Sequence, residues 1–424
     1  MADGNRGGGA SGGGSFGPLT GCRVVELGST VAGPFCARLL ADFGADVIKV
    51  EQLNGDAVRS MGKRKSGRSL YGASILRNKR ILAADMRQAE GRDLARRLCQ
   101  RADIVVENFR PGTLERWGLG YDALSQVNPG VILVRISGFG QDGPNSQRPG
   151  YGVVCEAFSG LREITGDPDR PPARVAVSVT DYITGLYAAY AAVMALHERH
   201  RTGKGQVVDA ALYESAFSFM EPHIPAYQQL GLVATRAGSR LPDHAPNNLY
   251  PTGDGRHIHI TAGAQGVFTR LCNVMGRPEL VDDARFATAT DRAINEDAID
   301  AEITLWTQGR ALDEIEAQLI AAAVPASRVF NMPDIFADPH YRARGMIVSP
   351  EDPVLGPVAM ADVVPRLSRT PGVVRWAGHD IGQDSRAILR DELSLDAAEI
   401  DRLISEGVVA EARPASADAE AGEE

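Results

Sequence analysis

From residue 20 onward, short β-branched runs alternate with amphipathic stretches, and that alternation leaves few folds open. Residues 24–27, 45–50, 80–85, 103–107 and 131–136 read as strands. Between them, 33–43 and 91–101 carry apolar residues at helical spacing, and Gly44 is a suitable C-terminal cap. Residues 114–118 read as a short helical piece. Strands joined through helices pair in parallel, with helices on both faces of a doubly wound sheet. Sheets of this kind take ligands beyond the carboxyl ends of their strands.

Further along, residues 137–180 are rich in Gly and Pro and read as loop. A long helix is expected over 181–201, a strand over 205–211 and a second helix over 213–230. Residues 237–251 read as loop. From 255 a smaller α+β segment follows, with a strand in RHIHITA and helices near 266–275, 296–305 and 312–322. Domain boundaries are placed near 230 and 330, and no internal repeat is visible. The termini stand apart. Residues 1–17 contain eight glycines, and residues 411–424 hold five acids and one base. Segments 1–18 and 406–424 are therefore expected to be disordered.

Composition limits the chemistry. The chain has 424 residues, a net charge of −9 and 44 % hydrophobic residues, which suits a folded chain of two or three domains. The longest uncharged apolar stretch, 185–196, is 12 residues and reads as a buried helix rather than a membrane span. No secretory leader is evident. Five cysteines without a C-x-x-C pair read as free thiols in a reducing cytoplasm. The acidic balance argues against nucleic acid as a partner.

Several motifs bear on function. The first strand runs into LGSTVAGP, not G-x-G-x-x-G, so a dinucleotide fingerprint is missing, as are a P-loop and a G-x-S-x-G elbow. His197 with His200, and His257 with His259, lack a third ligand, and no metal is expected. Asp181 falls where the long helix should begin. It is either an N-cap or a carboxylate kept ionised by the helix dipole and poised as a nucleophile. Glu107–Gly112 ends a strand where ligands sit, or is a turn. Lys79, Arg80, Arg87, Arg110 and Arg116 either hold a nucleotide phosphate or form a solvated face.

Longer runs then become recognisable. AGPFCARLLADFGADVIKVE (32–51), RNKR (77–80), ADIVVENFRPG (102–112), NPGVILVRISGFGQDGP (128–144), RPGYG (148–152), and SVTDYITGLYAA with RTGKGQ (178–206) resemble the class III CoA-transferases. That is the family of formyl-CoA transferase, carnitine CoA-transferase and α-methylacyl-CoA racemase. The resemblance runs from about residue 19 to about 400, and includes APNNLYPTGDG (245–255), DPHYRARGM (338–346) and PRLSRTPG (365–372).

The resemblance implies an α/β protein with a Rossmann-like large domain and a smaller α+β domain, in an interlocked homodimer. The large domain would span 19–230 and be completed by a return segment, 331–405, with the small domain at 231–330. It implies an enzyme that moves CoA from an acyl-CoA donor, such as succinyl-CoA, to a carboxylic acid, without a metal. Asp181 takes the place of the family nucleophile, which passes through an aspartyl anhydride and an aspartyl-CoA thioester. CoA contacts carry over to Val31, Ala32, Ala84, Asp85, Met86, Arg87, Asn108, Phe109, Arg110, Arg116, Gly150, Tyr151 and Gly152, with Arg87 expected on a phosphate. Gly263, Ala264 and Gln265 match a substrate loop. Gly28-Ser29-Thr30 replaces a histidine-containing turn of formyl-CoA transferase, and Gly152 replaces its glutamate, which argues against formyl-CoA and oxalate as substrates. The racemases place a histidine where this chain has Tyr151, which argues against proton exchange. A racemase and a CoA-binding paralogue without catalysis are the alternatives.

Overall fold

Neighbouring residues on the central strands alternate between two cores, and this alternation fixes the sheet as a layer covered on both sides. In the computed structural model, which describes residues 16–412, Val24, Ile104, Val106, Ile132 and Val134 point to one core. Val25, Val105 and Leu133 point to the other. The strands are β1 (Arg23–Glu26), β2 (Asp46–Glu51), β3 (Lys79–Ala84), β4 (Ile104–Glu107), β5 (Ile132–Ser137) and β6 (Val207–Ala211). They pair in parallel in the order β3-β2-β1-β4-β5-β6. The chain reverses its direction of travel across the sheet between β1 and β4. That switch point is where an open α/β sheet forms a crevice.

Helices α1 (Ala32–Asp42) and α2 (Ala89–Cys99) cover opposite faces. After α3 (Gly152–Phe158), the 24-residue α4 (Val179–Thr202) packs on the α1 side. Its Ala188, Ala192, Ala195 and Leu196 are buried, while Leu186, Tyr190, Val193 and Met194 are exposed. α4 is the one helix among the described residues long and apolar enough to cross a membrane, with 44 % of its apolar window buried. The expected helix over 213–230 is instead two, Leu212–Phe217 and His223–Leu230, separated at Pro222. Proline lacks the N–H that would continue the ladder.

A second compact unit comprises Gly160–Val175 and Glu221–Ala343, so its limits differ from the expected 230 and 330. It holds an antiparallel sheet of β7 (Asn247–Pro251), β8 (His257–Thr261) and β9 (Ala326–Arg328), with β8 central. Strand β7 lies within a segment read as loop, because its sequence, NNLYP, is mostly polar and ends in proline. Helices α5 (Gln265–Met275), α6 (Glu296–Gln308) and α7 (Leu312–Ala321) close a core around Phe268, Leu271, Ile303 and Ile315.

The chain then rejoins the first unit, which takes in the described residues from Arg344 onward. Helices α8 (Ser385–Leu393) and α9 (Ala397–Ser405) precede β10 (Val409–Ala410), which adds to β3 in antiparallel sense. This corrects the expectation of a disordered segment from 406. Val408 and Val409 are 1 % and 2 % exposed, and burying them draws the chain onto the sheet edge. Residues 1–15 and 413–424, the bulk of the expected tails, lie outside the described residues.

Candidate active site

The site is assembled where β1 and β4 end. Asn108 follows β4 and clamps the turn after β1. Its Nδ2 donates to the Ser29 carbonyl at 2.8 Å, and the Ser29 N–H donates to its Oδ1 at 2.8 Å. A Cβ on Gly28 would come within 3.0 Å of the Asn108 oxygen, so the close approach favours glycine there. The next residue, Thr30, has φ +73°, a conformation that costs energy unless its surroundings impose it. Its N–H donates to Asp56 Oδ1 at 2.9 Å.

A buried charge network holds this turn from beneath. Lys49 Nζ donates to the Gly28 carbonyl at 2.6 Å and to Glu26 Oε1 at 2.8 Å, and pairs with Asp56 Oδ2 at 2.7 Å. Lys79 Nζ reaches Glu26 Oε2 at 2.6 Å and the Pro34 carbonyl at 2.7 Å. Burial opposes charge on Asp56, but Lys49 and two backbone N–H groups outweigh it and hold its carboxyl below the usual range. Burial dominates for Lys79 and lowers its ammonium to about 8 despite Glu26. Charges this deep persist only when paired and hydrogen-bonded.

Asp181 is the third residue of α4, whose N-cap is Ser178. The N-cap reading is therefore corrected: the helix begins two residues earlier. Burial raises its carboxyl from 3.8 to about 6, with a backbone N–H opposing the shift. The expected acidifying effect of the helix start is thus outweighed by lost hydration. No cation is paired with Asp181 among the described residues. Gly152, the first residue of α3, lies against it. A Cβ at 152 would stand 2.0 Å from Asp181 Oδ2, so no side chain fits at 152 while the carboxylate keeps its position.

Asp181 opens into a cavity of about 260 Å³ lined also by Thr30, Val31, Asn108, Arg110 and Tyr151. A second cavity of about 260 Å³ shares Ser29 and Phe109 with it and reaches Gln52 and Met86. A larger cavity of about 510 Å³ lies elsewhere in the first unit, among Arg59, Arg64 and Arg68. Arg59 is bound to Glu51, and Arg68 to Asp352 and Asp380. The aspartates that line it, Asp56, Asp352 and Asp380, are each paired with a cation, Lys49 or Arg68.

Of the residues singled out in the sequence, Val31, Ala32, Asn108, Phe109, Arg110, Gly150, Tyr151 and Asp181 line the first cavity together, and Met86 and Phe109 line the second. Gly152 lies behind Asp181. Ala84 is corrected as a contact: the whole residue is buried, its backbone included, and it lines neither cavity. Arg87 is held by Asp85 through two nitrogens, and Arg116 reaches only Thr113. Two members of the basic cluster are corrected. Lys79 is committed to Glu26 in the core, and Arg80 to Asp46 and Glu392, so neither is free for a phosphate. Gly263, Ala264 and Gln265 belong to the second unit. There the buried Arg292 donates to the Gly263 carbonyl at 2.7 Å and to Gln265 Oε1 at 2.8 Å.

Sequence reasoning passed over Lys49, Asp56 and Tyr71. A lysine inside the apolar strand DVIKVE breaks its pattern, and that was a usable signal. Nothing marked Tyr71, whose hydroxyl lies 2.8 Å from that of Tyr182. Burial, then Tyr182, then the Asp181 charge all raise its phenol.

Comparisons with known proteins show the family to which the fold belongs. The model of CoA-transferase family III matches residues 19–385. Succinyl-CoA–D-citramalate CoA-transferase of Chloroflexus aurantiacus is 46 % identical over 394 residues, covering 92 % of this chain and 98 % of that protein. The succinyl-CoA–L-malate CoA-transferase β subunit of the same organism is 37 % identical over 397 residues, covering 92 % and 98 %. The crystal structure of a CAIB/BAIF family protein from Brucella suis superposes with a TM-score of 0.80 at 36 % identity, covering 89 % of this chain and all of that one. A switch-point cavity holding one half-buried carboxylate, within a chain matched almost end to end, leads to one conclusion: this protein belongs to the CoA-transferase family III.

Proposed function

We propose that the protein moves CoA from succinyl-CoA to a second carboxylic acid of the citramalate and malate class, with Asp181 as covalent nucleophile. The observation that carries this reading is the Asp181 carboxylate itself. It is half-buried, unpaired and pressed against Gly152 at the switch-point cavity. A carboxyl with a value of about 6 is still mainly ionised at pH 7.5, and it has lost much of the hydration that blunts a carboxylate in water. Two relatives that act on succinyl-CoA support the donor.

The chemistry needs no net proton and no redox partner. An Asp181 oxygen attacks the thioester carbonyl, the C–S bond breaks, and CoA leaves as thiolate from an aspartyl–succinyl anhydride. The thiolate attacks the aspartyl carbonyl and expels succinate, leaving an aspartyl-CoA thioester. The acceptor carboxylate attacks that carbonyl and releases the thiolate again. The thiolate then takes the acceptor acyl group and restores the Asp181 carboxylate. The clamped 28–31 turn and the Gly150–Gly152 segment are the candidate oxyanion donors. The nucleotide end of CoA fits the second cavity at Met86 and Phe109, and the thioester fits the first. The exposed apolar face of α4 (Leu186, Tyr190, Val193, Met194) supports assembly as a homodimer, interlocked as in the family.

Intact-protein mass spectrometry after mixing with succinyl-CoA tests the reading, with borohydride to trap the thioester. A CoA-sized adduct on the native protein and none on Asp181→Ala is expected. Equal labelling of both would remove Asp181 as nucleophile.

A further inference from the structure

We propose that Arg148 sets the acyl specificity of this site by binding the distal carboxylate of a dicarboxylic acyl group. The proposal rests on the reading of Asp181 as nucleophile and adds what stands opposite it. Arg148 and Asp181 line the same cavity of about 260 Å³. The charged side chains lining it are these two and Arg110. Arg110 follows β4 on the wall that continues into the second cavity, through Phe109. Arg148 instead sits in the segment leading into Gly150–Gly152, against which the Asp181 carboxylate is pressed. The Cys155 thiol lies within electrostatic reach of both Asp181 and Arg148, which places the two charges around one point.

The guanidinium of Arg148 is positioned without being used. It lies over the Phe139 ring at 5.1 Å and the Phe158 ring at 5.7 Å, and those two rings meet edge to face. Stacking on ring faces orients a guanidinium while leaving its N–H fork free. Among the described residues, no ion pair or side-chain hydrogen bond engages it. Arg110 is likewise unpaired but stands on the other wall, whereas other arginines of the first unit are committed: Arg135 to Glu107 and Glu115, Arg87 to Asp85, and Arg199 to Asp103.

A dicarboxylic acyl group needs such a partner. Its far carboxylate enters a cavity that already holds the Asp181 anion, and like charges in a desolvated site repel. A planar fork of donors matches a carboxylate through two parallel hydrogen bonds. An acyl chain ending in a methyl group makes no such pair there and leaves the guanidinium unused. A site built to bind a polar group rejects analogues that lack it.

The test compares native protein with Arg148→Gln and Arg148→Lys. Donor-half turnover, release of the free acid from acyl-CoA, is measured with succinyl-CoA and with butyryl-CoA, which has the same carbon chain without the second carboxylate. Affinity for free CoA is measured in parallel. Hydrogen bonds to a charged group imply that Arg148→Gln lowers the preference for succinyl-CoA over butyryl-CoA by about 10- to 100-fold. Free CoA should bind as before, and Arg148→Lys should keep part of the preference by keeping the charge. Equal losses on both donors, or weakened binding of free CoA, would assign Arg148 to the CoA moiety and overturn the proposal. An unchanged preference would overturn it as well. If the native protein released acid from neither donor, the transferase reading itself would fall, and this proposal with it.

Discussion

Replacing Asp181 with Asn should abolish CoA exchange and at the same time make the protein more stable. Burial raises the Asp181 carboxyl from 3.8 to about 6, so ionising it is harder in the native state than in the unfolded chain. At 1.36 kcal/mol per tenfold change in proton affinity, the ionised side chain costs the native state about 3 kcal/mol. The sign follows from which state releases its proton first. Below about pH 3 both states are protonated and there is no cost. The unfolded chain then ionises near 3.8 and the native chain near 6, so the cost grows between those values and is constant above. Asparagine never ionises. Its stability gain should therefore be about 3 kcal/mol at pH 8 and about half that at pH 5. Urea unfolding of both proteins at those two pH values, at one fixed protein concentration, measures the difference. The same titration should appear in kcat/KM of the native protein, rising with pH through about 6 to a plateau. A gain independent of pH, or a variant less stable than the native protein at pH 8, would refute the argument that burial sets the state of this carboxyl.

Two further substitutions probe the scaffold around it. Gly152→Ala puts a Cβ 2.0 Å from Asp181 Oδ2 and must turn the carboxylate away; misplacement on that scale should lower kcat/KM by about 100-fold while circular dichroism stays native. Lys49→Met strips the cation from Asp56 and one of the two from Glu26, which keeps Lys79, and should cost about 3–5 kcal/mol in denaturant unfolding, whereas a cost under about 1 kcal/mol would mean that the network holds itself without it.

The parallel sheet was legible because its strands are buried on both faces and read as nearly unbroken apolar runs. Residues 131–136, VILVRI, show this directly. Elements without such a run escaped. Helix α3 begins inside a Gly- and Pro-rich stretch, and β7 carries two asparagines and a proline. The cavity residues were found through the family resemblance, because a turn after a strand has no periodicity of its own to mark it. What holds them in place was not legible. Lys49, Glu26 and Asp56 meet only after three separate segments have folded together. Lys79 and Arg80 show the converse. In sequence they were part of a basic cluster, yet in space each already has its acids. Asp181 was found and its environment misjudged, since burial depends on distant segments such as Gly152 and not on its place in the helix.

The short strand β10 has a consequence for synthesis. Strand β3 is the outermost parallel strand, and the backbone that pairs with its free edge is Val409–Ala410, more than 300 residues later. A nascent chain emerging from the ribosome therefore carries an open, apolar sheet edge through most of its translation. Open edges recruit other strands, and pairings this distant in sequence form slowly. Chains that stall or are truncated before residue 409 should be the population that chaperones hold and proteases remove, with completion of the last few described residues serving as the point at which the unit becomes safe to release.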